Sequence, residues 1–534
     1  MYKQVLDPVA HSLGWSSLVA AIPLLVLFVM LGVLRITAWV ASLVSLAVAI
    51  AIAIAVYGMP AGQALLAGTE GAAFGFFPIL WIVINAIWVS QMTVETGHFD
   101  VLRRSFARVS DDQRIQAIII AFSFGALLEA LAGFGTPVAV TSVMLIALGF
   151  KPLKAAALAL TANTAPVAFG AMATPIITLA KVTGMSSDTL GAMVGRQTPI
   201  LALFVPLALL AIVDGWRGIR ETWPVAVVCG LVFALAQYAT SNFISVPLAD
   251  VAASLLSAAA VVAMVRVWRP REPYTERAAV AGGAADEPTP EFAARVEGRD
   301  TPAEVRDTPA EVTRAYAPYL IVIVVFVVCQ ITPVKNFLDK ATIKFHWPGL
   351  HLVSPKGKPV SLVEFTLNLL TTPGTQMLIA GIITMIALRL SLPRAAKAYG
   401  AALHQLRWAI VTVMGVLALA FVMNASGQTI TLGTWMAAAG GAFALISPIL
   451  GWLGVAVTGS DTSSNSLFGA LQVTAANQAG LSPVLMAASN SSGGVLGKMI
   501  SPQNLAIAAA AVGLHGKEVV RELIDLWTRE VTVG

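Results

Sequence analysis

The chain has 534 residues, of which 57% are hydrophobic and only 11% charged, with a formal net charge of +5 at pH 7. Soluble domains carry about 25% charged residues, so this composition excludes a globular enzyme on an anchor and points to a polytopic membrane protein in a lipid bilayer. The excess charge sits on loop arginines and lysines and bears on topology, not on a nucleic-acid partner.

A transmembrane helix needs about 20 apolar residues. Residues 15–34 and 37–57 meet this with Arg35 between them, and 70–92 form a third span opening with Thr69-Glu70-Gly71. The basic segment 98–114, with Arg103, Arg104, Arg108 and Arg114, is cytoplasmic by the positive-inside tendency, which puts the N-terminus outside. Residues 115–148 make either two crossings or one re-entrant hairpin turning at Gly133-Phe134-Gly135-Thr136-Pro137. Arms of about 16 residues are short for a full span, which favours the hairpin. Residues 152–181 then cross outward as a helix broken at Asn163–Pro166, 188–213 return, and 222–240 with 246–266 make a further pair.

Residues 269–315 change character: Pro, Glu, Arg and Ala dominate, and RDTPAEV occurs twice in tandem, at 299–305 and 306–312. Such a segment cannot bury a core and reads as a disordered cytoplasmic linker. The linker separates an N-terminal half, 1–268, from a C-terminal half, 316–534. In the second half, 316–333 cross outward, 334–370 form a polar external segment, 371–390 cross inward and 408–424 outward. Residues 430–442 are short and Gly-rich and read as interfacial, 443–481 as a second hairpin, and 483–513 as an inward helix broken at Asn490–Gly494, leaving Lys517, Arg521 and Arg529 inside. The expected fold is an all-α polytopic membrane protein of about eleven crossings plus two hairpins.

The two interrupted regions match. Laid without a gap, NTAPVAFGAMATP (163–175) and NSSGGVLGKMISP (490–502) share Asn163 with Asn490, Gly170 with Gly497, Met172 with Met499 and Pro175 with Pro502. Upstream, Gly133-Phe134-Gly135-Thr136 meets Gly459-Ser460-Asp461-Thr462. Charge counting sends the first hairpin in from the cytoplasm and the second from outside, so the halves are two inverted-topology repeats with re-entrant hairpins and discontinuous transmembrane helices, which locates a transport site where they meet.

Two cysteines in apolar runs, no Cys/His cluster and no Walker A motif leave no basis for a disulfide, a metal, a cofactor or ATP hydrolysis, and no nucleophile–base pair suggests an enzyme. What the breaks do offer is hydrogen-bonding groups and helix N-termini suited to a small hydroxylated carboxylate. The candidate substrate-binding residues are Gly133, Gly135, Thr136, Asn163, Thr164, Thr462, Ser463, Asn490, Ser491 and Ser492. Lys498 either faces the substrate carboxylate or neutralises Asp461. Glu129, one turn before Gly133, and Asp461 are the candidate proton-coupling carboxyls, since a carboxyl at membrane depth is a functional group by default. Asp461, among hydroxyls, suits Na⁺ as well.

The stretches GALLEALAGFGTPVAV (125–140), ALALTANTAPVAFGAMATPI (157–176) and GSDTSSNSLFGALQ (459–472) closely resemble the bacterial L-lactate permease family. That resemblance implies a secondary active transporter of L-lactate, often also D-lactate and glycolate, working by proton symport in the inner membrane, within an ion transporter superfamily that uses paired hairpins. A sodium-coupled small-carboxylate carrier is the alternative, and oligomeric state is not readable from the sequence. Related permeases continue into a further apolar helix where this chain stops in LIDLWTREVTVG.

Overall fold

A computed structural model of the chain describes residues 1–133, 135–275, 307–357 and 360–512. The apolar runs fold as helices because a segment in hydrocarbon must satisfy every backbone N–H and C=O internally. Among the described residues nine helices are long and apolar enough to cross a membrane: Leu13–Val33, Ala38–Ala55, Ala61–Glu95, Gln113–Leu131, Ser187–Phe243, Val246–Val267, Pro309–Gln330, Leu392–Ser426 and Gln428–Thr458. A tenth span is the pair Pro152–Ala162 and Val167–Thr183, bent by 68°. The 57-residue helix Ser187–Phe243 is two legs joined at Asp214 and at Gly215, whose φ of 57° needs a residue without Cβ. The architecture is all-α apart from two two-stranded sheets on loop segments.

Local chemistry sets the ends. Pro152, Pro373, Pro483 and Pro502 stand in the first turns of their helices, where the missing N–H costs nothing. Ser482 and Ser501 cap two of them through side chains that accept from Leu485 N and Asn504 N. The second RDTPAEV copy supplies a capping box: the Thr308 side chain accepts from Glu311 N, and the Glu311 carboxylate accepts from Thr308 N at 2.7 Å. The helix Pro309–Gln330 therefore starts inside the stretch assigned to the linker, while residues 276–306, with the first copy, lie outside the described residues.

Other boundaries also shift. The third span starts at Ala61, so Glu70 is not at its opening but inside it and fully buried. The basic stretch before residue 408 is helical too, as the first turns of Leu392–Ser426. Residues 428–442 form a helix and a 3₁₀ turn kinked at Gly440, leading straight into the second hairpin. Lys517, Arg521 and Arg529 lie outside the described residues, as does Phe134.

Two helix–turn–helix units stand where the hairpins are expected. The first runs up Gln113–Leu131, turns through Ala132–Gly135 and returns along Thr136–Ala147. The second is Phe443–Thr458, Gly459-Ser460 and Asp461–Ala479. Gln113–Leu131 is buried over its whole hydropathy window, against 33% for Leu13–Val33, so the interrupted elements sit in the middle of the molecule with ordinary spans outside them. That is the only place at membrane depth where irregular backbone is tolerated. Packing between the two interrupted units is reciprocal: Thr136–Ala147 lies on Pro502–Ala511, and Asp461–Ala479 lies on Gly170–Thr183.

At one end of the bundle, Arg114 is fully buried and bonds Asp112 (2.8 Å), Asp214 (3.1 Å), Glu221 (2.8 Å) and the Glu272 carbonyl (2.8 Å). This ties the foot of the first hairpin to the kink of the long helix. At the other end, Thr342–His346 pairs antiparallel with Glu364–Asn368, and Tyr2–Lys3 pairs with Leu352–Val353. The Tyr2 hydroxyl contacts Tyr57 O and Ser426 O, docking the N-terminus on the helix ends.

Candidate functional site: a charged cavity between the broken helices

The first hairpin turns on two left-handed glycines, Gly133 (φ 59°) and Gly135 (φ 79°). The turn sets Glu129 one helical turn below the tip. The partner broken helix stops at Ala162, makes a turn and a 3₁₀ segment Val167–Phe169, and then passes Ala171, Met172 and Ala173 in the left-handed region (φ 44°, 55° and 61°) before resuming. Left-handed backbone costs an L-residue roughly 1–2 kcal/mol, and three in a row persist only where the surroundings impose them. Here Gly170, next to them, lies against Glu129: a Cβ on Gly170 would stand 2.7 Å from Glu129 Oε1.

The second hairpin turns at Gly459 (φ 75°), and Ser460 caps the helix that Asp461 opens. Both tips rest on the helix Pro502–Ala511: a Cβ on Gly135 would run into Ile507, and one on Gly459 would stand 2.8 Å from Gln503 Oε1. The second broken helix does not break at Asn490–Gly494. It stays α-helical to Gly494, tightens into 3₁₀ over Val495–Ile500 and stops at Ser501, because Ser501 and Pro502 begin a new helix. The effect is to place Lys498, not Asn490, in the irregular backbone.

These elements enclose a cavity of about 940 Å³. Glu129, Gly133, Gly135, Asp461, Thr462, Ser463 and Lys498 line it, with Gly170, Thr174 and Asn504. Its mouth is formed by Arg35, Trp39, Trp408 and Thr412, the face that the positive-inside tendency assigns to the cytoplasm. Lys498 Nζ donates to Glu129 Oε1 at 2.5 Å, both side chains being less than a tenth exposed. With its amide turned to suit both neighbours, Asn163 donates to Glu129 Oε2 (3.1 Å) and accepts from Lys498 Nζ (3.0 Å). One repeat thus supplies the carboxyl and the amide, the other the ammonium.

Asp461 is not the partner of Lys498. Its Oδ2 accepts from Ser491 Oγ (2.5 Å) and Asn465 Nδ2 (3.4 Å), and its Oδ1 has no hydrogen-bond partner among the described residues. The N–H groups of Asp461 and Thr462 open a helix and have no intrahelical acceptor.

The remaining predicted residues do not line the cavity. Asn490 is fully buried in an amide ladder, donating to Asn465 Oδ1 (2.9 Å) and accepting from Gln472 Nε2 (3.0 Å). Thr164 Oγ1 turns back to Thr161 O (2.7 Å), and Ser492 Oγ donates to Gln197 Oε1 (2.5 Å). Thr136 opens the return arm of the first hairpin. Asn163 and Asn490 align in sequence yet differ in role, since one follows a helix end and the other sits inside a helix.

Two further buried carboxyls were not among the candidate site residues. Glu70 lies 3.7 Å from Lys181 Nζ, which also donates to Glu364 O (2.7 Å) and sits over the Phe74 and Phe421 rings. Asp250 accepts from Gln237 Nε2 (2.6 Å), whose Oε1 in turn accepts from Thr198 Oγ1 (3.0 Å). Each stands in an unbroken apolar run, so only its charge marked it. Among the described residues no three His, Cys, Asp or Glu side chains gather as a metal site would require.

Fold and site together define a multi-pass membrane protein built round a buried, charged cavity between interrupted helices, the construction of a solute carrier. The sequence model of the L-lactate permease family matches residues 16–525, and the chain belongs to that family. It is 43% identical to the glycolate permease GlcA of Escherichia coli K12 over 523 residues, covering 95% of this chain and 91% of that one. It is 42% identical to the L-lactate permease of the same strain and 40% identical to that of Bacillus subtilis 168, each covering 97% of this chain and 94% of the relative. It is a multi-pass bacterial membrane protein.

Proposed function

We propose that the protein takes up L-lactate, together with D-lactate and glycolate, by proton symport across the inner membrane. The observation that carries this reading is the contact of Lys498, Glu129 and Asn163 at the cavity wall. A monocarboxylate at this depth needs a cation, and Lys498 offers one. While Glu129 is ionised it occupies that ammonium, and a substrate carboxylate must displace a carboxylate already in place. A proton on Glu129 removes the competitor. Lactate and proton therefore enter together, and the net charge of the site is the same empty and loaded. In hydrocarbon, where an uncompensated charge is costly, that equality lets the loaded and empty carrier both rearrange.

The rest of the site supports a 2-hydroxy carboxylate. Asn163 can follow either carboxyl through its amide, and the helix N-terminus at Asp461 and Thr462 adds N–H donors that favour an anion. Lactate and glycolate, named in the relatives, share the carboxylate and the 2-hydroxyl that such donors and acceptors would read. A sodium-coupled carrier is the second reading, favoured by the unpartnered Asp461 Oδ1 among hydroxyls. The test is lactate uptake by the purified protein in proteoliposomes, with pH and Na⁺ gradients imposed separately. An inward proton gradient alone should drive uphill accumulation, with saturation and countertransport. Accumulation that follows Na⁺ at fixed pH would replace proton coupling by the sodium reading.

A further inference from the structure

Asp250 is a fully buried carboxyl that the transport scheme above does not use. It sits in the first turn of the helix Ala249–Val267, away from the cavity lining. Its Oδ1 is held by Gln237 at 2.6 Å, and its Oδ2 has no hydrogen-bond partner among the described residues. None of the salt bridges of the described residues reaches it, in contrast to Glu129 with Lys498. A carboxyl with no counter-charge in the interior of a membrane protein is expensive, and such groups mark ion and proton pathways.

Its position relative to Glu129 follows from the helices. Arg114, at the foot of the first hairpin, bonds the Glu272 carbonyl just beyond the far end of the Ala249–Val267 helix, so hairpin arm and helix run antiparallel. The Ser123 and Ser257 hydroxyls meet at 3.0 Å and fix their register. Six residues up from Ser123 is Glu129, and six back from Ser257 is Val251. At about 1.5 Å per residue both steps climb about 9 Å, which sets Asp250 level with Glu129. The helix Ala249–Val267 packs directly on Gly125–Leu131, the hairpin segment that carries Glu129. Beyond Asp250 only the turn at Ser245 and Val246–Leu248 separates it from the bundle end opposite the Arg114 cluster, the external end by the charge rule. The Ser245 hydroxyl there is buried and also without a partner among the described residues. Gln237, backed by Thr198, faces Asp250 from the long helix, and Glu129 is the titratable group of the hairpin segment packed on its helix.

We infer that Asp250 delivers the transported proton to Glu129 from the external side, along a path separate from the cavity that lactate uses. The O–H bond of the Asp250 acid breaks as one forms on Glu129, directly or through one water, and the Asp250 carboxylate regains its proton from the Ser245 end. Glu129 needs such a supply because it is only 3% exposed even beside an open cavity, covered by Lys498, Asn163 and Gly170. Asp250 is then a positioning and relay group, not a substrate ligand.

This rests on Glu129 being the proton-coupling carboxyl, and the experiment keeps the two apart. Full-length parent, Asp250→Asn, Asp250→Glu and Glu129→Gln are reconstituted and assayed for lactate exchange and for uphill uptake driven by an inward proton gradient. Exchange cycles a loaded carrier and needs no proton delivery. Asp250→Asn should keep exchange within about twofold of the parent and lose at least tenfold in the initial rate of proton-driven uptake at external pH 7.5. Lowering the external pH by two units should restore most of it, because abundant protons bypass a slow relay, and Asp250→Glu should stay close to the parent. Proton-driven uptake by Asp250→Asn at the parental rate, with Glu129→Gln inactive in uphill uptake, overturns the relay and leaves the coupling reading intact. Uphill uptake by Glu129→Gln overturns both. Equal loss of exchange and of proton-driven uptake in both Asp250 variants, without rescue by acid, assigns Asp250 a structural role and also overturns the relay.

Discussion

Glu129→Gln removes the titratable group while keeping its shape. The Gln oxygen can still accept from Lys498 and the Gln amide can donate to Asn163, whose own amide can turn, so the contacts at 2.5 and 3.1 Å have neutral replacements. The missing element is the competition between carboxylates. If one proton enters with each lactate, the apparent affinity changes tenfold per pH unit, which is about 1.4 kcal/mol. Lactate affinity measured two pH units apart should thus differ by about a hundredfold in the parent and by a factor near one in Glu129→Gln. The variant also leaves Lys498 without its counter-charge, and removing one partner of a buried pair costs about 3–5 kcal/mol. Lactate supplies the missing anion, so saturating lactate should raise the Tm of Glu129→Gln by more than it raises that of the parent. The assays are isothermal titration at two pH values, thermal unfolding with and without lactate, and uptake in proteoliposomes, where exchange should survive and accumulation should not. A Glu129→Gln protein that accumulates lactate down a proton gradient, or that keeps the hundredfold pH dependence, would refute the reasoning.

Other substitutions separate the site from its supports. Gly170→Ala puts a methyl 2.7 Å from Glu129 Oε1, an overpacking expected to cost about 1–3 kcal/mol in thermal stability and to reduce uptake more than Gly→Ala at the open position Gly62. Asn163→Ala should weaken lactate binding about ten- to a hundredfold, since a hydrogen bond to a charged group contributes roughly 1.5–3 kcal/mol. Asn490→Ala should instead strand Asn465 and Gln472 in the interior and appear mainly as about 1–3 kcal/mol of lost stability; a binding defect without a Tm change would contradict that. Deleting one RDTPAEV copy should leave transport unchanged, because the tandem repeat lets the surviving copy supply the same cap. Within that cap the Arg104 guanidinium at 2.6 Å holds the Asp307 carboxyl below the usual range. Its contribution is therefore present at neutral pH and lost as pH falls through the lowered value. Asp307→Asn should lower Tm slightly at pH 7 and progressively less in acid.

The coarse plan of the molecule was legible because it rests on long-range constraints that composition displays. Apolar runs fixed the spans, and Gly133, Gly135 and Gly459 marked turns that the backbone does make in the left-handed region. Helix ends were less legible. The span holding Glu70 begins at Ala61, since a single carboxylate does not stop a helix whose neighbours bury it. The break in the second repeat was read at Asn490-Ser491-Ser492-Gly493-Gly494, where small polar residues cluster, yet those residues stay helical. Helices in the packed interior tolerate Ser and Gly when neighbours approach closely, and a Cβ on Gly493 would collide with the backbone of Pro448. The stop comes from Ser501-Pro502, a cap and an N1 proline, whose local chemistry is visible in the sequence.

That displacement of the break, from 490–494 to 495–501, changes what the repeat means for function. A symmetric reading puts two equivalent amides, Asn163 and Asn490, on one substrate. In the structure the first break places Asn163 at a helix end, while the second places Lys498 in irregular backbone, at the position where the first repeat has Ala171. A reciprocal arrangement remains in the scaffold, since the return arm of each hairpin packs on the other unit's broken helix. The charge does not follow it. One unit contributes a carboxyl and the other an ammonium, so their one ionic contact among the described residues, at 2.5 Å, crosses the boundary between the units. A contact placed there touches both units at once, and in the proposed scheme a proton and a substrate anion decide whether it is made. Two identical amides could bind lactate but would have no means of making its binding depend on a proton. On the proposed scheme, the departure from symmetry at Lys498 is what would let a binding site be a coupled one.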